Sequence, residues 1–207
     1  TGLAAVFIIA IFLQHEYSFD RFFKDSGKIS RVVTVFDRDG HRSPYAFEDV
    51  AFEARKAIPE IRAATRFYAY NHLEVRRQQE LKGDYKALYS DSSFFDVFSL
   101  PMLGGDAAEA LQSPGTVILT RSMKRKVFGD EPAINEVLQM DRKNYVVRGI
   151  MGDIPDNCHL RFDMLVSFTS LSPSFRQANA VDYPTFFRFR EEPDAQLTKK
   201  VCDFVAE

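Results

Sequence analysis

The chain has 207 residues, 45% of them hydrophobic and 27% charged, a globular balance with room for one large domain or two small ones. Its net charge of −2 gives no electrostatic case for nucleic-acid binding. Two cysteines, Cys158 and Cys202, are too few for a disulfide framework, and 20 Phe with no Trp point to a Phe-rich core.

The opening, TGLAAVFIIAIFLQHEYSFDRFF, carries no charge or strong polar group over residues 2–13, then meets a collar of His15, Glu16, Tyr17, Phe19, Asp20, Arg21, Phe22 and Phe23. Three readings fit it. A secretory signal would need a basic start and a small-residue cleavage site, and neither is visible. A buried core helix of about a dozen residues is the second. The third is the outer end of a transmembrane helix. About twelve residues rising about 1.5 Å each span ~18 Å, short of the ~30 Å hydrocarbon core. The start at Thr1 rather than Met reads as a fragment, which would account for the shortfall. Aromatic and charged residues at the exit suit the membrane–water interface.

KISRVVTVF (28–36) is rich in β-branched residues and reads as a strand, with DRDG (37–40) as the turn after it. Ser43 and Pro44 look like a helix cap and first helical position. Phe47, Val50, Ala51, Ala54 and Ile58 then recur at helical spacing up to Pro59. IRAATRFYAY and HLEVRRQ follow as two strands, and DYKALYSD (84–91) as another. Asp91 is placed to cap a short helix in SSFFDVFSL, with Phe94, Val97 and Phe98 on one face. LGGDAAEAL (103–111) reads as a loop and a helical turn, and GTVILT (115–120) as a compact strand. Thr120 caps RSMKRKVF, and Gly129 ends that helix. LQM-DRKN-YVVRGIM (138–151) reads as a hairpin around a four-residue turn. HLRFDMLVSF (159–168) is a strand, 169–183 irregular, and PTFFRFR (184–190) an alternating strand. Asp194 caps a last helix with the stripe Leu197, Val201, Phe204 and Val205. A second β-α unit is thus begun, whose closing strand is expected beyond residue 207. The pattern is α+β, with two β-α units flanking a central insertion.

No motif announces chemistry. GxxxxGK[ST] and GxSxG are absent, and LGGD reads as a tight turn. His15, His41, His72 and His159 are scattered without HExxH or CxxC spacing. Cys158, His159 and Asp163 in DNCHLRFD are the closest approach to a metal or Cys–His nucleophile. The plainer reading is a turn leading into a strand, with Asp156 and Asn157 making turn bonds. Arg121, Lys124, Arg125, Lys126 and the pair Arg76–Arg77 read as solvated faces, with a phosphate or acidic-partner contact as the alternative.

Several pieces of the chain resemble a known family. EYSFDRFF and then KISRV are similar to the juxtamembrane signature of FtsX-like ABC transporter permeases of the MacB class, in the form common in Bacteroidetes-type bacteria. IPEI (58–61), SDSSFFDVFSLPMLGGD (90–106), LTRSMKRKVFGDEPA (119–133) and YVVRGIMGDIPDNCHLRFDMLVSF (145–168) match it in the same order. There are departures. Ile134–Asn135 stands where the family has Ile-Gly, so that turn must accept a side chain. Cys158–His159 stands for Ser-His, and Ser30 for Tyr.

The resemblance implies a MacB-like periplasmic core domain without catalytic residues, on the periplasmic side of the bacterial inner membrane. Residues 1–20 would be the periplasmic end of the first transmembrane helix with its collar. Residues 21–83 and 152–207 would form a porter-like subdomain of β-α-β units, the second part truncated, and 84–151 a Sabre-like insertion. Partners would be a nucleotide-binding ATPase subunit, which alone would bind ATP and Mg, a second permease half or homodimer partner, and periplasmic cargo or an adaptor. ATP-driven closure of the permease halves would reach the periplasm through a stiff joint, for which a helix continuous through Phe23 is expected. Its residues would be Glu16, Tyr17, Phe19, Asp20, Phe22 and Phe23. Two rivals stay open: a ligand-sensing or binding ectodomain, and an anchored enzyme using Cys158, His159 and Asp163.

Overall fold

A computed structural model describes residues 6, 7, 9, 13, 17, 19–35 and 42–206. Val6, Phe7, Ile9, Leu13 and Tyr17 are helical and exposed. The rest of the apolar opening, His15, Glu16 and the expected turn at 37–40 lie outside the described residues. Among the described residues no helix is long and apolar enough to cross a membrane.

The first strands are β1 (Ile29–Arg31), β2 (Thr34–Val35) and β3 (Arg42–Ser43), followed by α1 (Val50–Ala57). The helix expected to start at Ser43–Pro44 thus starts later. Ser43 instead pairs with Thr34 in the β2–β3 ribbon, and Ala46 N donates to Tyr183 O at 3.0 Å in an isolated bridge. These long-range pairings hold residues 43–46 extended and override the local helix signal.

The two strands expected next are one, β4 (Ile61–Arg77), which forms a long hairpin with β5 (Glu80–Ser90). The interruption at residues 71–72 is a register shift between Tyr70 and Leu73, the mark of a bulge that bends a strand without ending it. β4 also changes neighbours along its length. Up to Arg66 it pairs with β11 (Thr185–Phe189), and from Phe67 onward with β5.

Then come α2 (Phe94–Val97), β6 (Met102–Gly105), α3 (Ala107–Ala110), β7 (Thr116–Thr120), α4 (Arg121–Phe128), β8 (Val137–Met140), β9 (Lys143–Met151) and β10 (Met164–Ser167). Residues 103–105, read from the sequence as loop, belong to β6, an edge strand on β9. The β8–β9 turn has two residues, Asp141 (φ 44°) and Arg142 (φ 66°), both left-handed as the twist of a tight hairpin requires. Residues 169–183 are less irregular than their composition suggests, since α5 (Pro173–Ala178) lies among them with Ser172 Oγ accepting from Phe175 N.

β4 pairs with β5, β5 with β10, β10 with β7, β7 with β9, β9 with β8, and β8 back with β4. The six strands close a ring. Alternate residues of every stave point inward: Leu73 and Val75, Tyr85, Ala87 and Tyr89, Val117 and Leu119, Leu138 and Met140, Tyr145 and Val147, Met164 and Val166. Met123, Val127 and Phe128 of α4 pack into the same cluster.

The smaller part of the sheet, β1–β11–β4, has two covered faces. On one, α1 and α6 (Ala195–Ala206) pack Ala51, Ala54, Ile58 and Val201 against Ala64, Phe187 and Phe189. On the other lies a Phe-rich cluster that also covers the outside of the ring, joining Ala63, Phe67, Leu88, Ile118 and Leu165 to Phe94, Phe98, Leu160 and Phe162.

Candidate functional site

The collar sits on that Phe-rich cluster. Phe23 is buried at 4% exposure, its ring 4.1 Å from that of Phe22 and 5.2 Å from that of Phe98. The helix expected to run on through Phe23 does not. Residues 19–22 form turns, and Asp20 adopts a left-handed φ of 57°, which L residues avoid in helices. The physical reason is long-range bonding. Asp20 N donates to Asn157 O at 2.9 Å. Asp20 Oδ1 accepts from His159 N at 3.0 Å, and Oδ2 lies 2.6 Å from His159 Nδ1. The Phe19 ring packs on the His159 ring, centroids 4.9 Å apart.

Asp25 repeats the device. It too is left-handed, with φ 58°, and its Oδ2 accepts from Arg188 Nη2 at 2.9 Å. Arg188 is nearly buried and its Nη1 donates to Asp96 O at 3.2 Å. Of the six residues named from the sequence for the joint, Phe19, Asp20, Phe22 and Phe23 meet the folded body. Tyr17 is exposed, and Glu16 lies outside the described residues. His159 and Asn157 were not legible as partners of Asp20, nor Arg188 as the partner of Asp25. A signal existed, in that DNCHLRFD is a turn rich in bonding groups, but sequence gives no reason to join it to the collar.

The three candidate side chains of the DNCHLRFD cluster are bonded to separate partners. Cys158 is buried, its Sγ accepts from Leu160 N at 3.3 Å, and burial pushes its thiol up to about 12. His159 gives its Nδ1 to Asp20. Asp163 Oδ2 accepts from Lys86 N at 3.0 Å, a backbone bond at the ring wall.

A second polar cluster lies where β4 changes neighbours. Arg66 is almost fully buried, its guanidinium carbon 4.2 Å from the Phe168 ring centroid and 4.6 Å from that of Phe52. Its Nη2 is 3.5 Å from Glu48 Oε1, which also accepts from Arg176 Nη1 at 2.9 Å. Arg66 Nε and Asp91 Oδ2 are both buried and, at 3.9 Å, too far apart for a hydrogen bond. Asp91 Oδ1 is bonded by Ser93 and, at 3.2 Å, by Thr65. Burial lowers the Arg66 pKa and raises that of Asp91, in each case outweighing the attraction of the opposite charge.

Known structures show the same fold. A domain of a Porphyromonas gingivalis protein named as a permease superposes with a TM-score of 0.75 at 22% identity, over 88% of this chain and 84% of that one. The periplasmic region of MacB from Actinobacillus actinomycetemcomitans gives 0.64 at 13% identity, over 85% and 80%. The extracellular domain of the noncanonic ABC-type transporter YknZ from Gram-positive bacteria gives 0.59 at 14%, over 84% and 88%. No curated protein sequence matches significantly. The family model described as MacB-like periplasmic core domain matches residues 1–199, and with that match, on this α+β fold, the chain belongs to the MacB-like periplasmic core domains.

Proposed function

We propose that this periplasmic domain couples ATP hydrolysis by a partner nucleotide-binding subunit to export or mechanical work in the periplasm. The partner would bind ATP and Mg, and a second permease half or a second copy would complete the transporter in the inner membrane. One observation carries the reading. An exposed apolar helix, with Val6, Phe7, Ile9 and Leu13 uncovered, leads into a collar fastened to the folded body by Asp20 and Asp25. Such an element can transmit displacement, because its exposed apolar residues suit lipid and its collar is fixed to the folded body. By chain order we assign residues 21–83 and 152–207 to a porter-like part and 84–151 to a Sabre-like insertion, with β4 and β10 lending their edges to the ring.

The test is isolation of the full-length protein from its own membrane. A stoichiometric nucleotide-binding subunit with ATPase activity is expected, and its absence, with no ATPase domain elsewhere in the polypeptide, overturns the reading. A Tyr17→Pro variant should then abolish export while ATP hydrolysis continues, since Tyr17 is helical and proline costs about 3 kcal/mol inside a helix. A second reading, a ligand-binding ectodomain, draws on a cavity of about 220 Å³ lined by Tyr70, Tyr89, Tyr145 and Phe175. Tight binding of a periplasmic metabolite there, without an ATPase partner, would favour it.

A further inference from the structure

The collar's bonds bypass its neighbours in sequence and fall on residues 157–159, the lead-in to β10. That lead-in has no slack. Cys158, Leu160 and Phe162 are buried. Asp163 is then pinned on both sides: its N donates to Lys86 O at 2.8 Å, its Oδ2 accepts from Lys86 N, and its O accepts from Thr120 N at 3.0 Å. Immediately after it, β10 is seated between β5 and β7, Met164 standing opposite Ala87 on one side and Leu119 on the other. The covalent route from the collar is looser. It passes through the left-handed Asp25 to β1, a three-residue edge strand bonded only to β11 among the described strands.

We propose that Asp20 and His159 form a latch through which displacement of the opening helix is passed into β10 and so into the ring of six strands, with His159 as its positioning residue. The Asp25–Arg188 pair holds the collar to β11 on the smaller sheet, so the two aspartates grip different halves of the molecule. This latch rests on the coupling reading, but its geometry is testable without it. His159 suits the role because Nδ1 and its backbone N–H meet the two oxygens of one carboxylate. An asparagine at this position keeps a donor near the place of Nδ1, and an alanine does not.

The experiment uses the 207-residue chain in a Cys202→Ser background, spin-labelled at Leu13→Cys on the opening helix and at Val137→Cys on the ring, both exposed sites. The parent should give one narrow distance distribution by pulsed electron resonance. His159→Ala should broaden it, His159→Asn should restore it, and Asp25→Asn should leave it narrow. The pair is partly exposed, so the melting temperature should move by no more than about 2–4 °C. A broad parent distribution, or one that His159→Ala leaves unchanged, overturns the latch. In the full permease His159→Ala should lower export severalfold at unchanged ATP hydrolysis. Undiminished export beside a broadened distribution overturns the transmission step while leaving the ATPase partnership, which has its own test, standing.

Discussion

The guanidinium carbon of Arg66 lies 4.2 Å from the centroid of the Phe168 ring, at the point where β4 leaves β11 and joins β5. One side chain thus spans the seam between the smaller sheet and the ring. Truncating it leaves Asp91 without its neighbouring cation and Glu48 with Arg176 alone. Arg66→Ala should cost about 3–5 kcal/mol in urea unfolding, the range for breaking a buried ion pair. Arg66→Lys keeps the charge but loses the planar stacking between Phe52 and Phe168, and about 1–2 kcal/mol is expected.

Asp91 should give stability an unusual dependence on pH. Burial raises its folded pKa above the ordinary 3.8, so the folded state holds the proton more tightly than the unfolded chain. Its contribution to stability is therefore fully present below pH 3.8 and is lost as the pH climbs through the folded value, opposite to a surface salt-bridged carboxylate. Asp91→Asn should flatten that part of the profile in denaturation series across acid and neutral pH. An unaltered slope in the variant would remove Asp91 from the account.

Gly105 and Gly129 make a controlled pair. Both have positive φ, 82° and 61°. A Cβ on Gly105 would run into the Arg148 carbonyl oxygen and the Gly149 backbone, where edge strand β6 closes on β9, whereas one on Gly129 meets nothing within 4 Å. Gly129, with ψ −126°, lies outside the left-handed helical well, and Gly129→Ala should cost roughly 1–3 kcal/mol of backbone strain alone. Gly105→Ala should cost more than Gly129→Ala, because its neighbour is main chain that cannot give way. Equal losses in thermal unfolding would disprove the close approach.

The two thiols should separate cleanly under alkylation. Cys202 is exposed and should react in the native protein. Cys158 is buried with its thiol held up to about 12, and should label only at the rate of unfolding. Mass spectrometry after a short pulse of iodoacetamide, with and without urea, reads both sites. Native labelling of Cys158 would mean that the lead-in to β10 is open.

Local rules were legible where they act alone. Thr120 Oγ1 accepts from Met123 N and Asp194 Oδ1 from Leu197 N, both caps readable from a hydroxyl or carboxylate before an amphipathic run. Asn135 takes a left-handed φ of 71° where the resembling family has glycine, the accommodation its position demanded. What stayed hidden depends on distance. Ring closure rests on β8 meeting β4 through Val75 opposite Met140 and Arg76 opposite Gln139, a pairing no local pattern encodes. Arg66 reads as one more charged residue in an alternating strand until Phe52 and Phe168 arrive from either side. The collar was expected to be helical because the coupling that the resemblance implies needs a stiff joint; Asp20 instead turns left-handed to bind residues 157–159.

The ring of six staves also sets an order of events during synthesis. β10 is the last stave in sequence, yet it sits between β5 and β7, strands made much earlier. Until residue 167 has been made, β5 and β7 each present a bare edge, and the apolar interior is open to water. Non-local closure of this kind is slow, and unpaired edges invite association with other chains. The chain therefore passes through an interval of exposed edges that closes only when β10 takes its place between β5 and β7.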